Sequence, residues 1–329
     1  MTVLVCGGAG YIGSHCVYEL IEKGEKVIVI DNLQTGHVDA IHKDSIFYHG
    51  DIRDFEFLNK IFQEHTIDSV IHFAANSLVG ESMAVPLKYF NNNVHGMEVL
   101  LKAMVLNKVN KIVFSSSAAV YGEPKSVPIK ESDIAEPTNP YGETKLAMEK
   151  MMKWVDTAHG IKYVSLRYFN VAGAHPNGLI GEEHNPETHL IPLVLQVPLH
   201  KREKIYVYGN DYNTKDGTCV RDYIHVMDLI NGHLLALEYL RKGNDSNIFN
   251  LGNGLGFTVN EIIEASEEVV GTHINKEVTS RRLGDPAILV ASSDKARDVL
   301  GWEPCYTDIK DIISSAWEFH RKNIDGYVK

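Results

Sequence analysis

Residues 1–13, MTVLVCGGAGYIG, decide the fold. The β-branched and apolar run Thr2 to Cys6 is cut off by Gly7, Gly10 and Gly13, set three apart, and HCVYELIEKG (15–24) then continues at helical spacing. Strand, tight turn and helix in that order bring backbone N–H groups and the positive end of a helix dipole to the carboxyl end of a strand, where a pyrophosphate is held. One glycine makes the turn, one lets the backbone approach the phosphates, and one allows the helix to lie close against the strand. Eighteen residues beyond Gly13, the second β-branched run, VIVID, ends in Asp31. An acid there bonds both ribose hydroxyls and repels a 2′-phosphate. Asn32 rather than an arginine follows it, so the cofactor read from the sequence is NAD, not NADP. Asp51, in HGDIRD after the third strand, is similarly placed for the adenine end.

Working outward, short β-branched runs near 2–6, 26–31, 45–49, 68–73, 111–116 and 162–167 alternate with helix-length amphipathic segments. This predicts an α/β fold, a Rossmann-type parallel sheet with helices on both faces and ligands at the carboxyl ends of the strands. The helices expected near 86–107 and 141–155 carry Leu100, Leu101, Met104, Met148, Met151 and Met152 at core spacing. After residue 170 the alternation gives way to AHPNGLIGEEHNPETH, a helix-like LIPLVLQVPLH (190–200) and the strand IYVYG. HVMDLINGHLLALEYLRK and NIFNLG then read as a helix and a strand returning to the sheet. The expected organisation is an NAD-binding domain over 1–171, with returning segments near 223–251. A smaller, interleaved α/β substrate lobe takes 172–222 and 252–329. DIISSAWEFHRK closes that lobe as an amphipathic helix packed on its own body.

With 329 residues, 44% hydrophobic and 23% charged, the chain has material for a full core, and its net charge of −11 argues against a nucleic-acid partner. An anionic ligand therefore needs a local cationic pocket. Cys6, Cys16, Cys219 and Cys305 show no CxxC spacing and read as reduced thiols. The sixteen histidines are scattered; His184 and His189 share GEEHNPETH without a helical HExxH arrangement, so they are read as structural and no metal is expected. The first strand begins at residue 2 and no apolar run reaches membrane-spanning length. A cytoplasmic protein without a membrane partner is expected.

The chemistry lies in NPYGETKLAMEK (139–150), where Tyr141 and Lys145 stand four apart at a helix start and so share a face. Two unit charges ~4 Å apart at an effective dielectric of ~20 interact by ~4 kcal/mol, roughly three pKa units, enough to bring a phenol of pKa ~10 near neutrality. The pair is read as a base. The fifth strand ends in Ser115, Ser116 and Ser117, and the Ser117 hydroxyl is placed to bond the substrate oxygen that the tyrosine deprotonates.

The glycine fingerprint, the acid after the second strand, the serine after the fifth and YxxxK on the next helix together resemble the extended short-chain dehydrogenase/reductase superfamily. VIHFAANSLVGES, NNNVHG, FSSSAAVYG, NPYGETK, LRYFNVAGAHP, DGTCVRDYIHVMDLINGH and RRLGDPA resemble the UDP-glucose 4-epimerases over nearly the whole chain. The resemblance implies that Tyr141 is general base and acid, Lys145 its tuner and a ribose ligand, and Ser117 the group orienting the sugar. It implies that NAD stays bound while UDP-galactose and UDP-glucose interconvert through a transient 4-keto sugar. Tyr11 and Ile12, the run Asp31, Asn32, Leu33, Gln34, Thr35 and Gly36, and Asp51 with Ile52 would line NAD. So would Phe73, Ala74, Ala75, Ser77, Asn92, Ser115 and Phe169. For the nucleotide sugar, Asn170, Arg221 and Arg282 match residues near the diphosphate, Asp285 one near the uridine ribose, and His189 with Leu190 the uracil end. Permanently charged, bidentate guanidinium groups suit phosphate oxygens. The resemblance also implies a homodimer through a four-helix bundle.

Relatives of that kind often carry lysine where this chain has Ser77 and asparagine where it has His189. Leu289 matches a gate filled in them by tyrosine or cysteine, which bears on N-acetylated sugars. Two rivals are a 4,6-dehydratase and a catalytically silent NAD-sensing protein. The dehydratase type carries Thr-Asp-Glu where this chain has Ser117-Ala118-Ala119, and methyl groups cannot protonate a leaving hydroxyl.

Overall fold

A computed structural model describes residues 1–282 and 286–327. Seven strands form its central sheet: β1 (Thr2–Cys6), β2 (Lys26–Asp31), β3 (Ile46–His49), β4 (Ser69–His72), β5 (Lys111–Ser115), β6 (Lys162–Tyr168) and β7 (Asn247–Leu251). Their spatial order is β7-β6-β5-β4-β1-β2-β3, and every neighbouring pair is parallel. The six strands expected up to residue 168 are present within a residue or so of their predicted ends. The return of 247–251 to the sheet is also observed, against β6 with Phe249 opposite Leu166.

Period-two alternation sorts the strands' side chains into two cores. Val3, Val5, Val27 and Val29 face α1 (Tyr11–Glu22) and a later helix, α5 (Val226–Arg241). Leu4, Cys6, Ile28 and Ile30 face α2 (Phe55–Glu64), α3 (Gly96–Leu106) and α4 (Pro140–His159). After β3 the chain crosses to β4 on the other side of β1. The switch point between β1 and β4 opens a crevice at their carboxyl ends, where such folds bind ligands.

Two expected helices are less regular than their sequences suggest. In place of one helix over 86–107 there is a short turn, Pro86–Tyr89, a π-helical turn, Phe90–His95, and only then α3. The π turn carries Asn92 and Asn93 inward. The Asn93 amide donates to Thr144 Oγ1 on α4 at 2.9 Å, and its oxygen accepts from Asn76 N at 2.8 Å. The expected helix 190–200 is confined to Leu190–Leu195. Pro198 has no N–H and its ring would meet the carbonyl four residues earlier, so the helix stops.

Beyond the sheet, Asn170–Ala172 pairs with Tyr223–His225, Val220–Arg221 lies between Phe257–Thr258 and Ile288–Leu289, and Ile205–Tyr208 pairs with Lys276–Thr279. Asp222 joins these pieces. Fully buried, its carboxylate accepts from Asn253 N (2.7 Å), Gly254 N and Ala291 N (both 3.0 Å). Burial nonetheless pushes its pKa up to about 6. Helix α6 (Val259–Val270), opened by the Thr258–Glu261 capping box, packs on α7 (Ile309–Lys322) through Ile262, Ala265, Ile312, Ile313 and Ala316. The terminal helix thus lies on its own lobe, as its amphipathic pattern predicts.

Candidate active site

The crevice is lined from the turn after β1 by Gly7, Gly10, Tyr11, Ile12 and Gly13, and from the end of β2 by Ile30, Asp31, Asn32, Gln34 and Thr35. Gly50 and Ile52 follow β3, Phe73 to Ser77 follow β4, and Asn92, Tyr141, Lys145, Tyr168 and His184 complete the wall. Gly7 has φ +82°, and a Cβ there would stand 2.6 Å from Ala74 N; at Gly13 it would stand 2.0 Å from Gly7 O. The space these glycines leave is a cradle of backbone amides at the head of α1, which fits a dinucleotide pyrophosphate.

Asp31 sets the adjoining loop. Its two carboxylate oxygens accept from Ala9 N (3.0 Å) and Leu33 N (2.8 Å), the latter in a left-handed residue with φ +58°. Burial raises the carboxyl pKa, and these amide bonds oppose the rise. Leu33 and Gly36 shape the loop without lining the crevice; a Cβ on Gly36 would meet Ala9 at 2.9 Å. Asp51 also lies off the wall: Arg53 binds its carboxylate through Nε (2.8 Å) and Nη2 (2.6 Å), Asn32 Nδ2 adds a bond at 3.2 Å, and its pKa falls well below the usual range. The neighbouring Gly50 and Ile52 line the crevice instead.

Tyr141 occupies the first turn of α4, which Asn139 caps by accepting from Gly142 N at 2.9 Å, with Pro140 at the first helical position. Desolvation raises the phenol's pKa; the hydrogen bond from Ser117 opposes the rise. Lys145 does share the face of Tyr141, with Nζ 5.8 Å from the ring centroid, but the ammonium donates to Ser115 O at 2.7 Å. Buried to 3% exposure, Lys145 is itself pushed down to about 7 by desolvation, with Glu149 acting in the opposite direction. The shared face does not by itself lower the phenol: burial sets the upward direction of its shift.

The floor beneath is polar and paired. Glu149, one turn beyond Lys145, accepts from Arg167 Nε (3.0 Å), Arg167 Nη2 (2.6 Å) and Ser116 Oγ (2.6 Å), with both charged groups nearly fully buried. Ser115 points away from the crevice wall, and its hydroxyl bonds the hydroxyl of Tyr168. Tyr168 is raised in pKa by burial and by the nearby Tyr141. Phe169 packs with Tyr121, Leu146 and Leu289 beside the crevice rather than in its wall.

On the sugar side, strand pairing gathers three of the named residues. Asn170 is opposite Tyr223, two positions past Arg221, and Arg221 is opposite Leu289. Arg221 Nη1 also donates to Val220 O at 2.8 Å. Arg282 is exposed and stacks over Tyr208, 3.9 Å from the ring centroid. Leu190 begins its short helix and His189 caps it, with the imidazole bonded to Glu182. Asp285 lies outside the described residues.

Tyr168, His184, Gly50 and Ile30 complete the wall although the sequence did not nominate them. Tyr168 sits at a strand end, the position that flags Asp31, and was available to the same reasoning. His184 comes from a loop 171 residues beyond Gly13 and had no local signal.

A glycine cradle, a carboxylate at the end of β2 and a Ser-Tyr-Lys trio at one switch point define a dinucleotide-dependent enzyme of the short-chain dehydrogenase/reductase type. A family model described as GDP-mannose 4,6 dehydratase matches residues 4–315. UDP-glucose 4-epimerase of Halalkalibacterium halodurans is 59% identical over 99% of this chain and 98% of its own. A crystal structure of UDP-glucose 4-epimerase superposes with TM-score 0.98 at 56% identity, covering 100% of both chains. The Bifidobacterium longum enzyme in complex with NAD+ and UDP superposes with TM-score 0.94 at 41% identity, over 99% of this chain and 100% of that one. The chain belongs to the UDP-glucose 4-epimerase family.

Proposed function

We propose that this protein inverts carbon 4 of a UDP-hexose, interconverting UDP-galactose and UDP-glucose through a transient 4-keto sugar, with NAD regenerated in every cycle. The observation that carries the reading is that Tyr141 and Lys145 share the crevice wall with the glycine cradle and Asp31, with Ser117 hydrogen-bonded to Tyr141 from behind that wall. Bound NAD supplies the acceptor and then the donor of the carbon-4 hydride. Gly7 to Gly13 hold its pyrophosphate and Asp31 its adenosine ribose. Lys145, pinned by Ser115 O, faces the nicotinamide ribose. Tyr141 takes the 4-hydroxyl proton and returns it after the ketone has turned its other face, while Ser117 holds the same oxygen. A residue that accepts and returns one proton works best with a pKa near the working pH. Burial raises the Tyr141 phenol, and the positive charges of Lys145 and of an oxidised nicotinamide beside it would act in the opposite direction.

Asn170 and Arg221 are the proposed diphosphate ligands, with Arg282, Asp285, His189 and Leu190 further along the nucleotide and Leu289 against the sugar. Residues 1–171 with 223–251 form the cofactor half, and 172–222 with 252–329 the substrate half. Ala118 and Ala119, in the turn after Ser117, offer no proton to a leaving hydroxyl, which disfavours dehydration. A homodimer is supported by exposed apolar side chains around the 79–106 and 140–159 helices, Met83, Leu87 and Trp154 among them. No helix among the described residues is long and apolar enough to cross a membrane. Cys6, Cys16, Cys219 and Cys305 form no disulfide among the described residues, which supports a reducing, cytoplasmic setting.

The test is turnover of UDP-galactose by purified protein with no cofactor added. Tyr141→Phe should lower kcat by roughly 10²–10⁴-fold with NAD still bound. Wild-type rates in that variant would remove Tyr141 as the base. Offering UDP-N-acetylgalactosamine alongside probes the space around Leu289.

A further inference from the structure

Glu182, His184, Glu187 and His189 lie on the segment that crosses from the crevice mouth to the helix beginning at Leu190; His184 lines the crevice and His189 stands at the proposed nucleotide end, but none of the four transfers a proton or hydride in the chemistry above. One donor atom from each lies within 4.8 Å of all the others. His184 Nδ1 is 3.4 Å from Glu182 Oε1 and 3.5 Å from Glu187 Oε2, and His189 Nδ1 is bonded to Glu182 Oε1. Tetrahedral ligation at 2.0–2.1 Å sets donors about 3.3 Å apart, close to the two His184 distances; the ion would part His189 from Glu182 and draw the wider pairs in.

Neighbouring backbone amides and rings orient the donors, as groups bonded to a metal's ligands do. Glu187 Oε1 is occupied by Thr188 N (2.7 Å) and His189 N (2.8 Å), which leaves Oε2 turned inward. The two imidazoles meet edge to face at 5.2 Å, and the ring of His184 meets that of Tyr11 edge to face at 6.2 Å. Tyr11 is fixed in turn by its hydroxyl on Gly173 O at 2.6 Å. Glu182 is 2% exposed and the Glu187 side chain 7%; a pair of carboxylates so enclosed requires two positive charges beside it.

We propose that Glu182, His184, Glu187 and His189 form a structural site for one divalent transition-metal cation. Two carboxylates balance its charge and two neutral imidazoles complete four-coordination. Mixed nitrogen and oxygen donors favour zinc over calcium or magnesium, which take oxygen ligands. His184 also lines the dinucleotide crevice, so the ion would fasten segment 181–189 beside the glycine turn without touching the reacting carbon. This inference does not depend on the epimerase reading.

The experiment uses the full chain with its NAD, stripped of metal by a chelator and dialysed, then titrated with Zn²⁺ alone against a chromophoric zinc indicator. The expected result is one equivalent per chain, with His184→Gln and His189→Gln each weakening it by at least 100-fold while keeping the wild-type far-ultraviolet circular dichroism. Co²⁺ should give the visible spectrum of a four-coordinate nitrogen–oxygen site, lost in both variants. Wild-type protein that leaves the indicator's zinc untouched would overturn the proposal, as would tight binding undiminished in the variants. The first result would mean that two protonated imidazoles neutralise the carboxylates permanently.

Discussion

Lys145 donates its ammonium to the carbonyl oxygen of Ser115 at 2.7 Å, bridging the start of α4 to the end of β5 beneath the crevice. This bond fixes where the cation is, at the cost of burying it, and its pKa of about 7 reports that cost.

Lys145→Met should reduce kcat by at least 10²-fold, because both the ribose contact and the charge beside Tyr141 vanish. Its effect on stability depends on pH. A buried lysine with a lowered pKa penalises the fold fully below pH 7, and the penalty fades as pH climbs toward the unfolded value of 10.5. Relative to wild type, the cofactor-free variant should therefore gain most at pH 6 and progressively less by pH 9, as read by urea unfolding.

Gly13→Ala places a methyl carbon 2.0 Å from Gly7 O, a backbone atom that cannot move aside without opening the turn. The variant should purify without NAD or fail to accumulate in soluble form. Gly24→Ala, which adds a methyl into open space at φ +80°, is the comparison: a loss of about 1 kcal/mol from strain, with cofactor content unchanged. Absorbance of bound nucleotide and thermal unfolding distinguish them.

Asp31→Asn keeps an acceptor for only one of the two loop amides, turns an NH2 toward the other, and loses the charge that suits ribose hydroxyls. NAD affinity should drop by about tenfold or more, the ~1.4 kcal/mol of one charge-assisted hydrogen bond, and discrimination against NADP should narrow. Equilibrium dialysis with each nucleotide gives both numbers.

His72 and His233 are fully buried and neutral, lowered to about 3 and about 4 by desolvation. Unfolded histidines take up a proton near pH 6.5 while these do not, so stability is complete above 6.5 and is lost as pH falls toward 4. The loss is up to about 1.4 kcal/mol per pH unit for each residue. His233→Gln should flatten the pH dependence of the urea midpoint between pH 6.5 and 4.5; an unchanged slope would mean that His233 is charged in the fold.

The sequence made the cofactor half readable because its signals are local. Val27 to Asp31 alternate within one strand, and the glycines of 7–13 do their work within one turn. What escaped was decided by distant contacts. Arg53 takes up both oxygens of Asp51, the π turn at Phe90–His95 redirects Asn92 and Asn93, and Tyr168 and His184 reach the crevice from later parts of the chain. Spacing placed Lys145 on the face of Tyr141 correctly; the dielectric around the pair, which sets the sign of the phenol's shift, is a property of the packed interior.

The edge strand β7 is drawn from residues 247–251, whereas its neighbour β6 ends at Tyr168. During synthesis β6 leaves the ribosome with an open rim of unpaired amides and carbonyls, and nothing covers that rim until residue 251 has been made. A fragment stopped at residue 171 would keep that rim for good and should self-associate. The two halves of this enzyme therefore mature together, and nicking or early termination between them yields sticky intermediates instead of a free nucleotide-binding module.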